Sequence, residues 1–162
     1  MRALGLLVAV LLLGGLAAPS YAGRADVPAS ADRPARPLAG RVVVLDPGHQ
    51  LGNHNFPRQI NRPVPAGGFR KPCNTTGTAT NGGFPEATMA WRVTRLVQAR
   101  LEGLGAQVRL TRSTNRQDRW GPCVDERGRA GNQVSADLKL SVHGDGSYAA
   151  GAHGFHVIAP TD

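Results

Sequence analysis

At 162 residues the chain has room for one domain with tails, and its 41% hydrophobic content is enough for a packed core, which excludes a disordered chain. Nineteen Lys and Arg against 11 Asp and Glu give a formal charge of +8, and Lys71 and Lys139 are the only lysines, so the charge is almost entirely arginine. The 21 Gly and 12 Pro point to long, shaped loops, while neither a collagen G-X-Y period nor a sustained apolar heptad occurs.

Arg2 precedes an uncharged Leu/Val/Ala-rich run from Ala3 to Ala18, shorter than the roughly 20 residues of a membrane span. Pro19 and then Ser20-Tyr21-Ala22 follow, a small-x-small pattern that signal peptidases cut. Residues 1–22 therefore read as a signal peptide, with an uncleaved N-terminal anchor as the alternative. No second apolar run exists, so the chain is not expected to be an integral membrane protein. Residues 23–40, with Pro28, Pro34 and Pro37 among Ala, Ser, Arg and Asp, read as a linker. The domain is expected over residues 41–162.

Val42-Val43-Val44-Leu45 predicts a strand buried on both faces, ended by the turn Asp46-Pro47-Gly48. Residues 50–84 contain four prolines and six glycines with no sustained period, and a loop of that length is either functional or holds small strands of its own. Pro85 and Glu86 open a helix whose expected buried face is Met89, Val93, Leu96, Val97 and Leu101, and Gly103 and Gly105 stop it. Ala106–Thr111 alternates as a strand. Pro122 starts a second helix through Val134, weakened by Gly128 and Gly131. Asp137–Val142 and Gly154–Ala159 predict two further strands. That order implies an α/β sheet with helices covering its faces.

His49 and His143 each sit just beyond the end of a predicted strand, the edge where open α/β sheets bind ligands. Glu86 begins a helix that packs on the same sheet. Two imidazoles and a carboxylate with an open fourth position are what a catalytic zinc needs. Spacing alone equally allows a turn histidine, a helix-start acid favoured by the helix dipole, and a surface histidine, and no H-E-x-x-H pair is present.

Val43-Val44-Leu45-Asp46-Pro47-Gly48-His49 resembles the opening strand and first zinc histidine of the zinc-dependent N-acetylmuramoyl-L-alanine amidases (amidase type 3 family). Gly82-Gly83-Phe84-Pro85-Glu86 is similar to the glycine-rich stretch leading to that family's helix-start glutamate. Arg127, Ala130-Gly131-Asn132 and Ala136-Asp137-Leu138-Lys139-Leu140-Ser141-Val142-His143 resemble its second helix and the strand before the last histidine. Gly144-Asp145 departs from the usual Ala-Asn, and 151–157 is similar to the next strand. The proline-rich loop and paired cysteines look like the actinobacterial, mycobacterial-like branch.

The resemblance implies a single α/β domain of the zinc-exopeptidase (phosphorylase-like) type, with a mixed twisted sheet and helices on both faces. It also implies one Zn2+ per chain held by His49, Glu86 and His143. The activity implied is hydrolysis of the amide between the lactyl group of N-acetylmuramic acid and L-alanine, with peptidoglycan or muropeptides as substrate and a glutamate as general base. Of the three glutamates, Glu86 is committed to metal and Glu102 and Glu126 fall in helices away from the strand ends. The base is therefore expected beyond Asp162, the chain to be incomplete at its C-terminus, and residues 1–162 to bind zinc but hydrolyse little. Asp46 and Asp145 are candidates for the shell around the ligands. Two other functions remain open: a zinc carboxypeptidase acting on the stem peptide, and a non-catalytic wall-binding zinc protein.

Cys73 and Cys123, an even count in an exported chain, predict a disulfide tying the long loop to the second helix. Cysteine ligation of zinc is the alternative, which no C-x-x-C spacing supports. Arg109, Arg112, Arg116 and Arg119 near Trp120 read by default as a solvated face, and export argues against nucleic acid as a partner. Asn74-Thr75-Thr76 is a glycosylation sequon by pattern only. A monomer in the periplasm, cell wall or extracellular space is expected.

Overall fold

The computed structural model describes residues 35–159, so the expected signal peptide and most of the expected linker lie outside the described residues. Strand β1 (Val42–Pro47) lies between β4 (Gln107–Leu110) and β5 (Leu138–Val142), and both pairings are parallel. A central strand with two parallel neighbours must be covered on both faces, and Val43, Val44 and Leu45 are all buried. Val43 and Leu45 face α2 (Glu86–Gly103), packing with Ala106, Val97 and Leu101. Burying each such aliphatic side chain contributes roughly 1.5–3 kcal/mol. Leu38 completes this cluster and its N–H donates to the Leu104 carbonyl at 3.0 Å, so a residue that composition assigns to the linker is packed on the sheet.

The stripe that α2 buries is not the one its large apolar residues mark. Ala87, Ala90 and Thr94 are the buried positions, continued by the half-buried Val97 and Leu101, whereas Leu96 is 73% exposed. Positions 87, 90, 94, 97 and 101 follow the 3–4 spacing of one helix face, and small side chains at its start let the helix approach β1 closely.

The long segment after β1 holds structure of its own. A 3-10 turn (Asn53–Asn55) and the short α1 (Pro57–Asn61) lead into an antiparallel hairpin of β2 (Pro63–Pro65) and β3 (Arg70–Pro72). Antiparallel pairing within the named strands is confined to this hairpin. Val64 and Val124 pack around the disulfide Cys73–Cys123, whose Cα atoms are 4.2 Å apart. The bridge spans 50 residues, so its loss is expected to cost roughly 4 kcal/mol in the chain-entropy account. Urea unfolding of the reduced and oxidised protein checks this.

Two expected elements differ. The helix expected through Val134 is α3 (Val124–Arg129), followed by a 3-10 turn at Asn132–Val134 and by Ser135 with φ 48°. Gly128 and Gly131 weaken the helical continuation, and the Glu126 carboxylate, accepting the Cys123 N–H at 3.2 Å, strengthens the start instead. Gly154–Ala159 forms no strand, and Phe155, Val157 and Ile158 are exposed. Alternation supplies a capacity to pair, but a strand needs a ladder partner, and among the described residues none lies along this segment. The outer edge of β5 is likewise unpaired among the described residues, with Leu138 and Leu140 exposed beside α2. No helix among the described residues is long and apolar enough to cross a membrane.

Candidate metal centre

The turn after β1, the first residue of α2 and the residue after β5 meet at the carboxyl ends of the parallel strands. His49, Glu86 and His143 each offer a ligand atom there, all within 4.8 Å of one another. Glu86 Oε1 lies 3.2 Å from His49 Nε2 and 3.0 Å from His143 Nδ1. Tetrahedral ligands about 2.0–2.1 Å from one zinc stand roughly 3.3 Å apart, which both nitrogen–oxygen separations match. The rings of His49 and His143 meet edge to face with centroids 5.0 Å apart. His143 is the exposed member of the cluster and Glu86 the buried one.

Burial alone would push the Glu86 carboxyl up, but it is held well below the usual carboxylate range. His143 and His49 bond to it, and the backbone N–H groups of Gly144 (2.9 Å) and Thr78 (2.8 Å) donate to its two oxygens. The site is thus built to keep an anion. His49 takes a left-handed backbone conformation (φ 57°) that turns its ring back over the strand ends. Its Nδ1 lies 3.0 Å from the Thr75 carbonyl, which turns Nε2 toward Glu86 and the centre of the cluster. Thr75 is fixed in turn by buried Asn53, whose Nδ2 donates to the Thr75 carbonyl at 2.6 Å while its Oδ1 accepts from Gly121 N–H. Buried Asn74 donates to the Pro122 carbonyl, which gives the residue of the sequon a scaffolding contact.

His143 is held from the other side. Arg127 on α3 donates to His143 Nε2 at 3.0 Å, so Nδ1 is the ring nitrogen turned toward Glu86. Arg127 is itself fixed by a bidentate pair with buried Asp46 at 2.8 and 3.0 Å. Burial would raise Asp46, but Arg127, Thr111 and Ser141 together hold it far below its ordinary 3.8. Asp46 therefore stands one residue removed from His143. Asp145 is exposed and lies 3.5 Å from His156, and no contact joins it to the cluster among the described residues.

Gly48, read from the sequence as a turn residue, and Gly77, which the sequence left unmarked, prove tight. A Cβ on Gly48 would come 2.6 Å from the His143 ring and 2.9 Å from the Val142 carbonyl. A Cβ on Gly77, which has φ +76°, would meet Glu86 Oε2 at 2.7 Å and His49 Cδ2 at 2.8 Å. Gly77→Ala is expected to cut zinc affinity by at least about tenfold, since displacing supporting groups already costs 10–100-fold. Zinc-competition titration checks it.

Arg112, by sequence a member of a solvated arginine face, is instead buried, and burial pulls its guanidinium down to about 10. It donates to the carbonyls of Pro47, Gly48 and Ala87 and stacks over Trp91, clamping the His49 turn to the first turn of α2. Arg109, Arg116 and Arg119 are exposed as expected. The missed roles carry no local signal: those of Asn53, Thr75 and Gly77 arise only when the long loop folds over the strand ends, and that of Arg112 only when the turn after β1 meets α2.

The profile of the N-acetylmuramoyl-L-alanine amidase family matches residues 43–162. The chain is 41% identical over 121 residues to an N-acetylmuramoyl-L-alanine amidase of Mycobacterium tuberculosis, an alignment covering 74% of this chain and 48% of that protein. It superposes on the crystal structure of the N-acetylmuramyl-L-alanine amidase Ami1 of Mycobacterium abscessus with TM-score 0.62 and 41% identity, over 68% of this chain and 50% of the other. The Mycobacterium smegmatis Ami1 structure gives TM-score 0.62 at 39% identity, over 68% and 49%. The chain thus spans about half the length of the relatives it matches. With its strands, helix and ligand-bearing turns inside the matched region, this chain belongs to the N-acetylmuramoyl-L-alanine amidase family.

Proposed function

We propose that the chain carries the metal centre of a zinc-dependent N-acetylmuramoyl-L-alanine amidase, hydrolysing the amide that joins the lactyl group of N-acetylmuramic acid to L-alanine in peptidoglycan. The observation that carries this reading is the convergence of His49 Nε2, Glu86 Oε1 and His143 Nδ1 at the strand ends of a chain in this family. Zinc, when bound by these three, supplies Lewis-acid polarisation of a carbonyl and acidifies water.

The remaining work falls to the protein. Glu86 supplies the negative charge that the centre needs, and its four hydrogen bonds keep it ionised. Thr75 and Arg127 hold the two rings so that His49 Nε2 and His143 Nδ1 both face Glu86. Asp46 is the one acid lining either cleft beside the centre and is spent on Arg127, while Glu86 is committed to the metal, so neither is a proton acceptor for the attacking water. Glu102 lies in the last turns of α2, bonded to Gln98, and Glu126 caps α3.

Export to the wall compartment accords with the Cys73–Cys123 bridge, since disulfides persist in oxidising surroundings. Action as a monomer on muropeptides completes the reading. The test is to incubate zinc-loaded full-length protein with muropeptides and weigh the fragments. Release of the whole stem with a free L-alanine amine is expected, and cuts within the stem would move the activity to a carboxypeptidase.

A further inference from the structure

Two clefts border the His49–Glu86–His143 cluster, and their chemistry differs. One, of about 290 Å³, is lined by Leu51, Ala79, Pro85 and Ala87 together with Gly77, and it contains no Lys, Arg, Asp or Glu. The other, of about 310 Å³, opens on His49 and His143 and carries Lys71, Lys139 and Arg127 against a single acid, Asp46. The only two lysines of the chain come to this one cavity from β3 and β5, elements 68 positions apart in sequence.

The acid does not cancel the cations. Asp46 already accepts from Arg127, Thr111 and Ser141. Lys139 Nζ bonds Ser141 Oγ at 3.0 Å and stands 3.6 Å from Asp46. Arg127 spends Nε and Nη2 on Asp46 and His143, so its Nη1 has no hydrogen bond among the described residues. Lys71 is exposed on the hairpin, where its pairing with Val64 is a backbone matter that asks for no lysine. Cations that converge on a concave site with donors to spare bind carboxylates.

We infer that this cavity is an anion subsite that takes a carboxylate of the substrate on the peptide side of the scissile amide, while the uncharged cleft takes the sugar side. The inference rests on the amidase reading and adds an orientation and a substrate class to it. Around the lactyl amide the sugar is neutral and the stem peptide is acidic, so the two clefts match the two halves. The substrate class is an N-acetylmuramoyl-L-alanyl peptide whose residue after L-alanine bears a free carboxylate rather than a carboxamide.

The test uses zinc-loaded full-length protein and two N-acetylmuramoyl peptides that differ only in carboxylate or carboxamide at that residue. Turnover is measured on both, and calorimetric binding of the corresponding sugar-free peptides provides a readout that needs no cleavage. The carboxylate form is expected to be favoured about tenfold in kcat/KM, mostly through KM, the worth of one charge-assisted hydrogen bond. Added salt should narrow the ratio, and Lys71→Gln, on an exposed strand, should bring it toward 1. Equal cleavage and equal binding of the two peptides would overturn the subsite and leave the amidase reading standing, as would a preference that Lys71→Gln leaves intact. Binding preference that depends on Lys71, without cleavage of either peptide, would support the subsite and overturn the amidase reading. Neither cleavage nor preference would overturn both.

Discussion

Replacing Glu86 by Gln is expected to lower zinc affinity by at least about 100-fold and to abolish amide hydrolysis with it. Groups that merely support a metal ligand already cost 10–100-fold when removed, and Glu86 is the only anion among the three. The substitution keeps the volume but removes the charge. It also places an amide where an oxygen now accepts from Gly144 or Thr78 N–H, so one of those backbone donors loses its acceptor. The fold should survive, because Glu86 lies at the first position of α2 and the stripe formed by Ala87, Ala90, Thr94, Val97 and Leu101 is untouched. Unchanged circular dichroism together with lost zinc is the expected pair of results. Retention of stoichiometric zinc would show that the ion sits elsewhere.

Replacing Asp46 by Ala should destabilise the domain by about 3–5 kcal/mol, the cost of leaving a buried cation unpaired. Asp46 and Arg127 are both buried, and the carboxylate also takes the Thr111 and Ser141 hydroxyls, so one deletion strands three donors. The sign of the pH dependence follows from the depressed carboxyl. The ionised form is favoured by folding, so its contribution is fully present above the ordinary 3.8 and is lost as pH falls below it toward the folded value. Urea unfolding should therefore show the gap between wild type and Asp46→Ala narrowing as pH drops from about 5 to about 2. A constant gap would mean that the carboxylate contributes through packing alone. The loss should also reach the metal centre, because Arg127 without Asp46 no longer holds the His143 ring.

The strands β1, β4 and β5 were readable because each is a short β-branched or alternating run ended by a turn residue, and burial of β1 on both faces follows from its unbroken apolar stretch. The ligands were readable for a related reason. A parallel sheet gathers its carboxyl ends, and His49 and His143 stand next after two of them. What was not readable depends on partners distant in sequence. The buried stripe of α2 is set by Ala87 and Ala90, which a reading weighted toward large side chains passes over. Asn53 and Thr75 orient His49 only once the loop is drawn in, and the Cys73–Cys123 bridge beside them secures that arrangement. The alternating residues 154–159 show the converse error, a pattern with no partner along it.

Zinc content and zinc-edge X-ray absorption on full-length protein test the metal centre most directly. One zinc per chain is expected, with two imidazole nitrogens and a carboxylate oxygen at about 2.0–2.2 Å and no sulfur, because both cysteines are bridged. Substoichiometric zinc, sulfur in the coordination shell, or a spectrum unaltered by Glu86→Gln would contradict it.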